Sequence, residues 1–127
     1  MKFTISKKSL LSMLNMVSEA MIDSSEQSQE IVIVAGKDKL YMMCSNKNFK
    51  VTVQTVCNVI EVGTMLVDAK TFIKIIRKIN DDKITVEEDA DNYANISSKN
   101  TNINILTMDI TKYPTVNNEN EMFCSNF

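Results

Sequence analysis

The chain has 127 residues, 44% of them apolar and 24% charged, with a formal net charge of −2. That is the size and balance of one soluble globular domain, and it excludes a disordered or fibrous chain. The nearly even charge also excludes a uniformly basic nucleic-acid coat, while leaving room for a local basic patch. The opening MKFTISKKSL has no apolar core of the signal-peptide kind, and no apolar run approaches the roughly 20 residues of a membrane helix. Cys44, Cys57 and Cys124 are widely spaced with no CxxC. They read as reduced thiols in a cytoplasmic protein.

In chain order, FTI (3–5) alternates as a strand and runs into Ser6, a good helix N-cap. Leu10, Leu11, Met13, Leu14 and Val17 then mark one face of a helix. A polar stretch, DSSEQSQE (23–30), separates it from three strand-like runs, EIVIVA (30–35), KLYMMC (39–44) and FKVTVQTV (49–56). The pattern then starts again at an offset of 62. Met65 and Val67 stand for Phe3 and Ile5, and Asp68 for Ser6. Phe72, Ile73, Ile75, Ile76 and Ile79 take the places of the helix face. Three more strands follow, KITVEE (83–88), NYANIS (92–97) and NINILTM (102–108). The same strand, cap and apolar face occurring twice indicates an internal duplication, with repeats over about 1–60 and 63–108. The fold class is α+β, a duplicated β-α-β-β-β unit with both helices packed on one face of the sheet. Glycine and proline are nearly absent, so Asn, Asp and Ser must make the turns.

Charge is distributed unevenly over this frame. Lys70, Lys74, Arg77 and Lys78 recur at i, i+4, i+7 and i+8 on the second helix, and Lys7 and Lys8 open the first. These are six of the fourteen basic residues, on one predicted surface. A charge run is usually a solvated helix face, but such faces normally interleave acids at i+4, and this one does not.

Catalysis has little to work with. There is no histidine for acid–base chemistry near neutral pH and no glycine-rich phosphate loop. The paired acids Asp81-Asp82 and Glu87-Glu88-Asp89 sit in or beside turns, with nothing to make them converge on a metal. The cysteines lack a base partner, so no enzyme, metal or cofactor is expected. Tyr41, Tyr93, Tyr113 and Phe49 are spread over different elements and do not form a base-stacking platform.

MKFTISKKSLLSMLNMVS, LYMMCSNKNFKVTV, VDAKTFIKIIRKI and the closing KYPTV resemble the first domain of the bacterial sliding clamp, the beta subunit of DNA polymerase III. The likeness runs from residue 1 to about residue 116. It implies a DNA clamp fold over 1–116, with 117–127 as a linker and the first strand of a second domain. It implies a non-catalytic processivity factor in DNA replication, whose subunits close a ring around duplex DNA with the helices lining the hole. Lys70, Lys74 and Arg77, with Lys78, Lys7 and Lys8 behind them, would then meet phosphates without reading bases. Asn102, Ile103, Asn104 and Ile105 would lie at the joint between subunits. The replicative polymerase and the clamp loader would bind through parts of the protein outside this chain. The alternative is a clamp-like module that binds a clamp or a replication protein by an edge strand and does not encircle DNA.

Overall fold

Each half of the chain begins with a short strand that runs straight into a capped helix. In the computed structural model, which describes residues 1–21, 30–45 and 50–108, β1 is Lys2–Ser6 and α1 is Lys7–Met21. The second copy is β6, Gly63–Asp68, and α2, Ala69–Lys78. The two caps work alike. Ser6 Oγ accepts from the Ser9 amide at 3.1 Å, and Asp68 Oδ2 accepts from the Thr71 amide at 3.0 Å. Asp68 also accepts from the Thr71 hydroxyl at 2.8 Å. Such a cap satisfies one of the amides that the first helical turn leaves without an intrahelical partner.

Three strands follow each helix: β2 (Glu30–Ala35), β3 (Lys39–Ser45) and β4 (Lys50–Val56) in the first half, then β7 (Lys83–Glu88), β8 (Tyr93–Ser97) and β9 (Asn102–Leu106) in the second. A further strand, β5 (Asn58–Glu61), joins the halves. The turns use the residues that scarcity of glycine leaves available: Asp38 and Asn92 hold φ values of 59° and 66°, which Asp and Asn tolerate best after glycine.

The strands form two antiparallel sheets rather than the single sheet that the alternating runs suggest. Their orders are β5-β1-β7-β8-β9 and β4-β3-β2-β6. The halves exchange their first strands: β1 pairs with β7 of the second half, and β6 pairs with β2 of the first. This interlocking makes one domain of two repeats. The symmetry continues past β9, where Met108 bridges Leu66 of β6 much as β5 pairs with β1.

Between the sheets and under the helices lies one large core. Leu10, Met13, Leu14 and Val17 of α1 meet Ala69, Phe72, Ile73 and Ile76 of α2 there, together with Phe3, Ile33, Met65, Ile84 and Ile96. Each such side chain contributes about 1.5–3 kcal/mol when fully buried, so the apolar faces explain why both helices are held. Leu11 and Ile75, also placed on the apolar faces by spacing, are partly buried against the same core. Gly63 is required by a close approach: a Cβ there would lie 2.7 Å from Met1 Cβ.

The polar stretch 23–29, the turn 46–49 with Phe49, and the closing segment 109–127 with Tyr113, Cys124 and the anticipated lead into a second domain lie outside the described residues. Among those described, no helix is long and apolar enough to cross a membrane.

Candidate nucleic-acid interface

The two helices touch, with the start of α1 beside the end of α2. Lys7 Nζ donates to the carbonyls of Ile79 and, at 3.5 Å, of Arg77. A lysine there satisfies carbonyls that the helix end leaves open and suits its negative dipole. Lys7 is therefore engaged inside the domain. It is half-buried, unlike Lys8, Lys70, Lys74, Arg77 and Lys78, which are exposed.

Those five form the cationic face. On α2 the apolar positions Phe72, Ile73 and Ile76 turn inward, and helical periodicity sends Lys70, Lys74, Arg77 and Lys78 to the other side. Among the described residues none of the five has an ion-pair partner. The recorded ion pairs lie elsewhere, between the Met1 ammonium and Glu61 at 2.7 Å and between Lys2 and Glu87 at 4.0 Å. A positive strip with no local counter-charge attracts an external polyanion.

α1 contributes differently. Its exposed positions are Lys8, Ser12, Asn15, Met16 and Glu19. Asn15 was not anticipated from the sequence. Its Oδ1 accepts from Arg77 Nη2 at 3.5 Å, and by the offset of 62 it occupies the position equivalent to Arg77. A residue that reaches its own repeat counterpart lies near the pseudo-two-fold axis, and the offset alone could have indicated this.

The predicted joint residues fall on β9, which among the described residues is an edge strand of the five-stranded sheet. Asn95 Nδ2 on β8 donates to Asn102 Oδ1 and, at 2.8 Å, to Asn104 Oδ1. Ile105 is buried in the domain's own core and Ile103 packs against it. The edge thus presents backbone groups, an asparagine ladder and the exposed Leu106, while Ile103 and Ile105 point into this domain.

Among the described residues no three His, Cys, Asp or Glu side chains group to hold a metal. Burial, then Glu30, pushes the Cys44 thiol up to about 11, and burial, then Asp38, does the same for Cys57. Both favour the thiol over the nucleophilic thiolate. Of the aromatic residues, Tyr41 is buried with Val32, Val34, Met43 and Leu66 on the other side of the four-stranded sheet. Tyr93 is partly exposed.

Two interlocked β-α-β-β-β repeats with paired helices make a fold that solved sliding clamps share. The sequence pattern of the family "DNA polymerase III beta subunit, N-terminal domain" matches residues 1–117. The chain belongs to that family, whose members are non-catalytic DNA replication sliding clamps. It is similar to the beta sliding clamp of Mycoplasma pneumoniae, 28% identical over 121 residues, which are 91% of this chain and 32% of that protein. A solved structure from Eubacterium rectale, described as a DNA polymerase III beta subunit, superposes with a TM-score of 0.80 at 28% identity. It covers 89% of this chain and 31% of that one. The beta subunit from the DNA polymerase of Streptococcus pyogenes shares the fold with a TM-score of 0.82 at 21% identity, over 90% of this chain and 32% of that one. The chain spans about a third of the length of these relatives.

Proposed function

We propose that this chain serves as the first domain of a cytoplasmic sliding clamp that holds duplex DNA by its phosphate backbone and gives a replicative polymerase its processivity. One observation carries the reading: Lys70, Lys74, Arg77 and Lys78 stand exposed on α2 without counter-charge among the described residues. Such a strip neutralises phosphates without reading sequence, so it favours sliding over fixed binding. On this reading residues 117–127 lead into a second domain, and polymerase and clamp loader engage parts of the ring outside this chain. β9 meets the neighbouring subunit by strand addition through its backbone, because Ile103 and Ile105 already serve the core.

The test is titration of a labelled duplex, read by fluorescence anisotropy at several salt concentrations. Weak, sequence-independent binding is expected. The log–log salt slope should be about −3, from three or four phosphates at about −0.9 each. Changing Lys70, Lys74 and Arg77 together to Glu should abolish it. Unchanged binding by the triple variant sinks the proposal and leaves the β9 edge as the surface to pursue.

A further inference from the structure

In β7 the residues that face the core are Ile84 and Val86, and the next in that alternation is Glu88. In β9 they are Ile103 and Ile105, and the next is Thr107. The strand period places both polar side chains on the inward side, at the end of the five-stranded sheet. Glu88 is half-buried and Thr107 only 6% exposed, and among the described residues the Thr107 hydroxyl has no hydrogen-bond partner. Polar groups at positions where the pattern calls for apolar ones, one of them left unpaired, suggest a site.

Glu88 and Thr107 line a cavity of about 520 Å³ together with Asp89, Asn92, Met108 and, from β6 of the other sheet, Thr64. Its described lining holds two carboxylates and no lysine or arginine. Asp89 already uses Oδ1 to accept from the Asp91 and Tyr93 amides, at 2.8 and 3.2 Å, which fixes the acid at the cavity wall. Tyr93 and Leu106, next in sequence to Asn92 and Thr107, lie by the same alternation on the outer face of the sheet and do not line the cavity. These two are paired directly across β8 and β9 and are 42% and 65% exposed.

We propose that this cavity is a docking site for the cationic side chain, arginine or lysine, of a partner protein's peptide. The carboxylates of Glu88 and Asp89 receive the positive head, Thr107 adds a neutral hydrogen bond, and Met108 lies along the aliphatic stem. The site shares no residue with the cationic face of α2, so its fate and that of the DNA-binding reading are separate.

The experiment is an NMR titration of the whole chain with N-acetyl-glycyl-arginine amide, with the citrulline peptide as the uncharged near-isostere. The arginine peptide should shift the amides of Glu88, Asp89, Ala90, Thr107 and Met108, and the citrulline peptide should not. Glu88→Gln and Thr107→Val are close in shape to the residues they replace. Each should weaken binding by about fivefold or more, as loss of a charge-assisted contact or of a buried partner does. Unperturbed spectra away from the cavity report that both variants fold. Equal response to the two peptides, shifts scattered over outlying acids such as Glu87 and Asp91, or unchanged affinity in both variants overturns the assignment.

Discussion

α1 and α2 are copies in their buried halves and strangers in their exposed ones. Leu10, Leu14 and Val17 face the same core as Phe72, Ile76 and Ile79. On the outside, Lys8 matches Lys70, but Ser12, Asn15, Met16 and Glu19 stand where the second helix and its following turn have Lys74, Arg77, Lys78 and Asp81. Packing constrains the inner positions in both repeats, because a cavity in a close-packed core is costly wherever it arises. Nothing of the kind constrains the outer ones. The duplication therefore carries the fold twice, and most of the positive charge once.

The largest effects should come from the shared half. Phe72→Ala removes a fully buried ring and should cost about 3–5 kcal/mol, and the equivalent Leu10→Ala about 2–5 kcal/mol. Chemical denaturation checks both. If one helix tolerated the change and the other did not, the two would not be equivalent halves of one core.

The exposed half can be tested by transplantation. Ser12→Lys, Asn15→Arg and Met16→Lys together give α1 the outer face of α2. The added cations should tighten duplex binding and steepen the salt slope by about −0.9 for each new phosphate met. Stability should fall slightly, since all three sites are exposed but an arginine at position 15 would face Arg77, whose hydrogen bond Asn15 now accepts. A variant that gained no affinity would mean that the α1 flank does not face the DNA that α2 meets.

Features that depend on neighbours in sequence could be read beforehand, and features that depend on distant ones could not. Repeat, caps and helix faces rest on local spacing, and Ser6, Asp68 and the apolar positions were legible for that reason. β5 was not: Asn58, Val59, Ile60 and Glu61 come almost directly after β4, and only their pairing with β1 defines them as a strand. The exchange of β1 and β6 between sheets is likewise long-range, and alternation cannot say which strand lies beside which. At the site, charge periodicity placed Lys70, Lys74, Arg77 and Lys78 on the outer side of α2. It could not show that Lys7 would reach the carbonyls of α2, because that contact spans about seventy positions of sequence. The inward pointing of Ile103 and Ile105 was implicit in their alternation with Asn102 and Asn104, but choosing the core side needed the sheet.

A smaller effect is expected at the caps. Ser6→Ala and Asp68→Ala should each cost about 0.5–2 kcal/mol. Asp68 should lie at the higher end, because it accepts from both the amide and the hydroxyl of Thr71. Equal losses, measured by thermal denaturation, would mean that the hydroxyl contact adds nothing.

The smallest difference between the repeats is at the position shared by Glu19 and Asp81. Glu19 is still within α1, whereas Asp81 lies in the turn after α2, where its Oδ2 accepts from the Asn100 amide at 3.1 Å. The nearby Ser98 hydroxyl, then the hydrogen bond from the Asn100 backbone, lowers its pKa from the ordinary carboxylate value. A depressed folded-state pKa means that the unfolded chain takes up the proton first as acid is added. The contribution is therefore complete above the unfolded value, about 3.9, and is lost as pH falls through the folded one. Asp81→Asn should leave a flatter fall in stability below about pH 4 than the parent chain shows. The measurement is denaturation at a series of acidic pH values. Because the group is exposed, the change in slope should be slight, and identical slopes in the two proteins would show that the turn gains nothing from the ionised carboxylate.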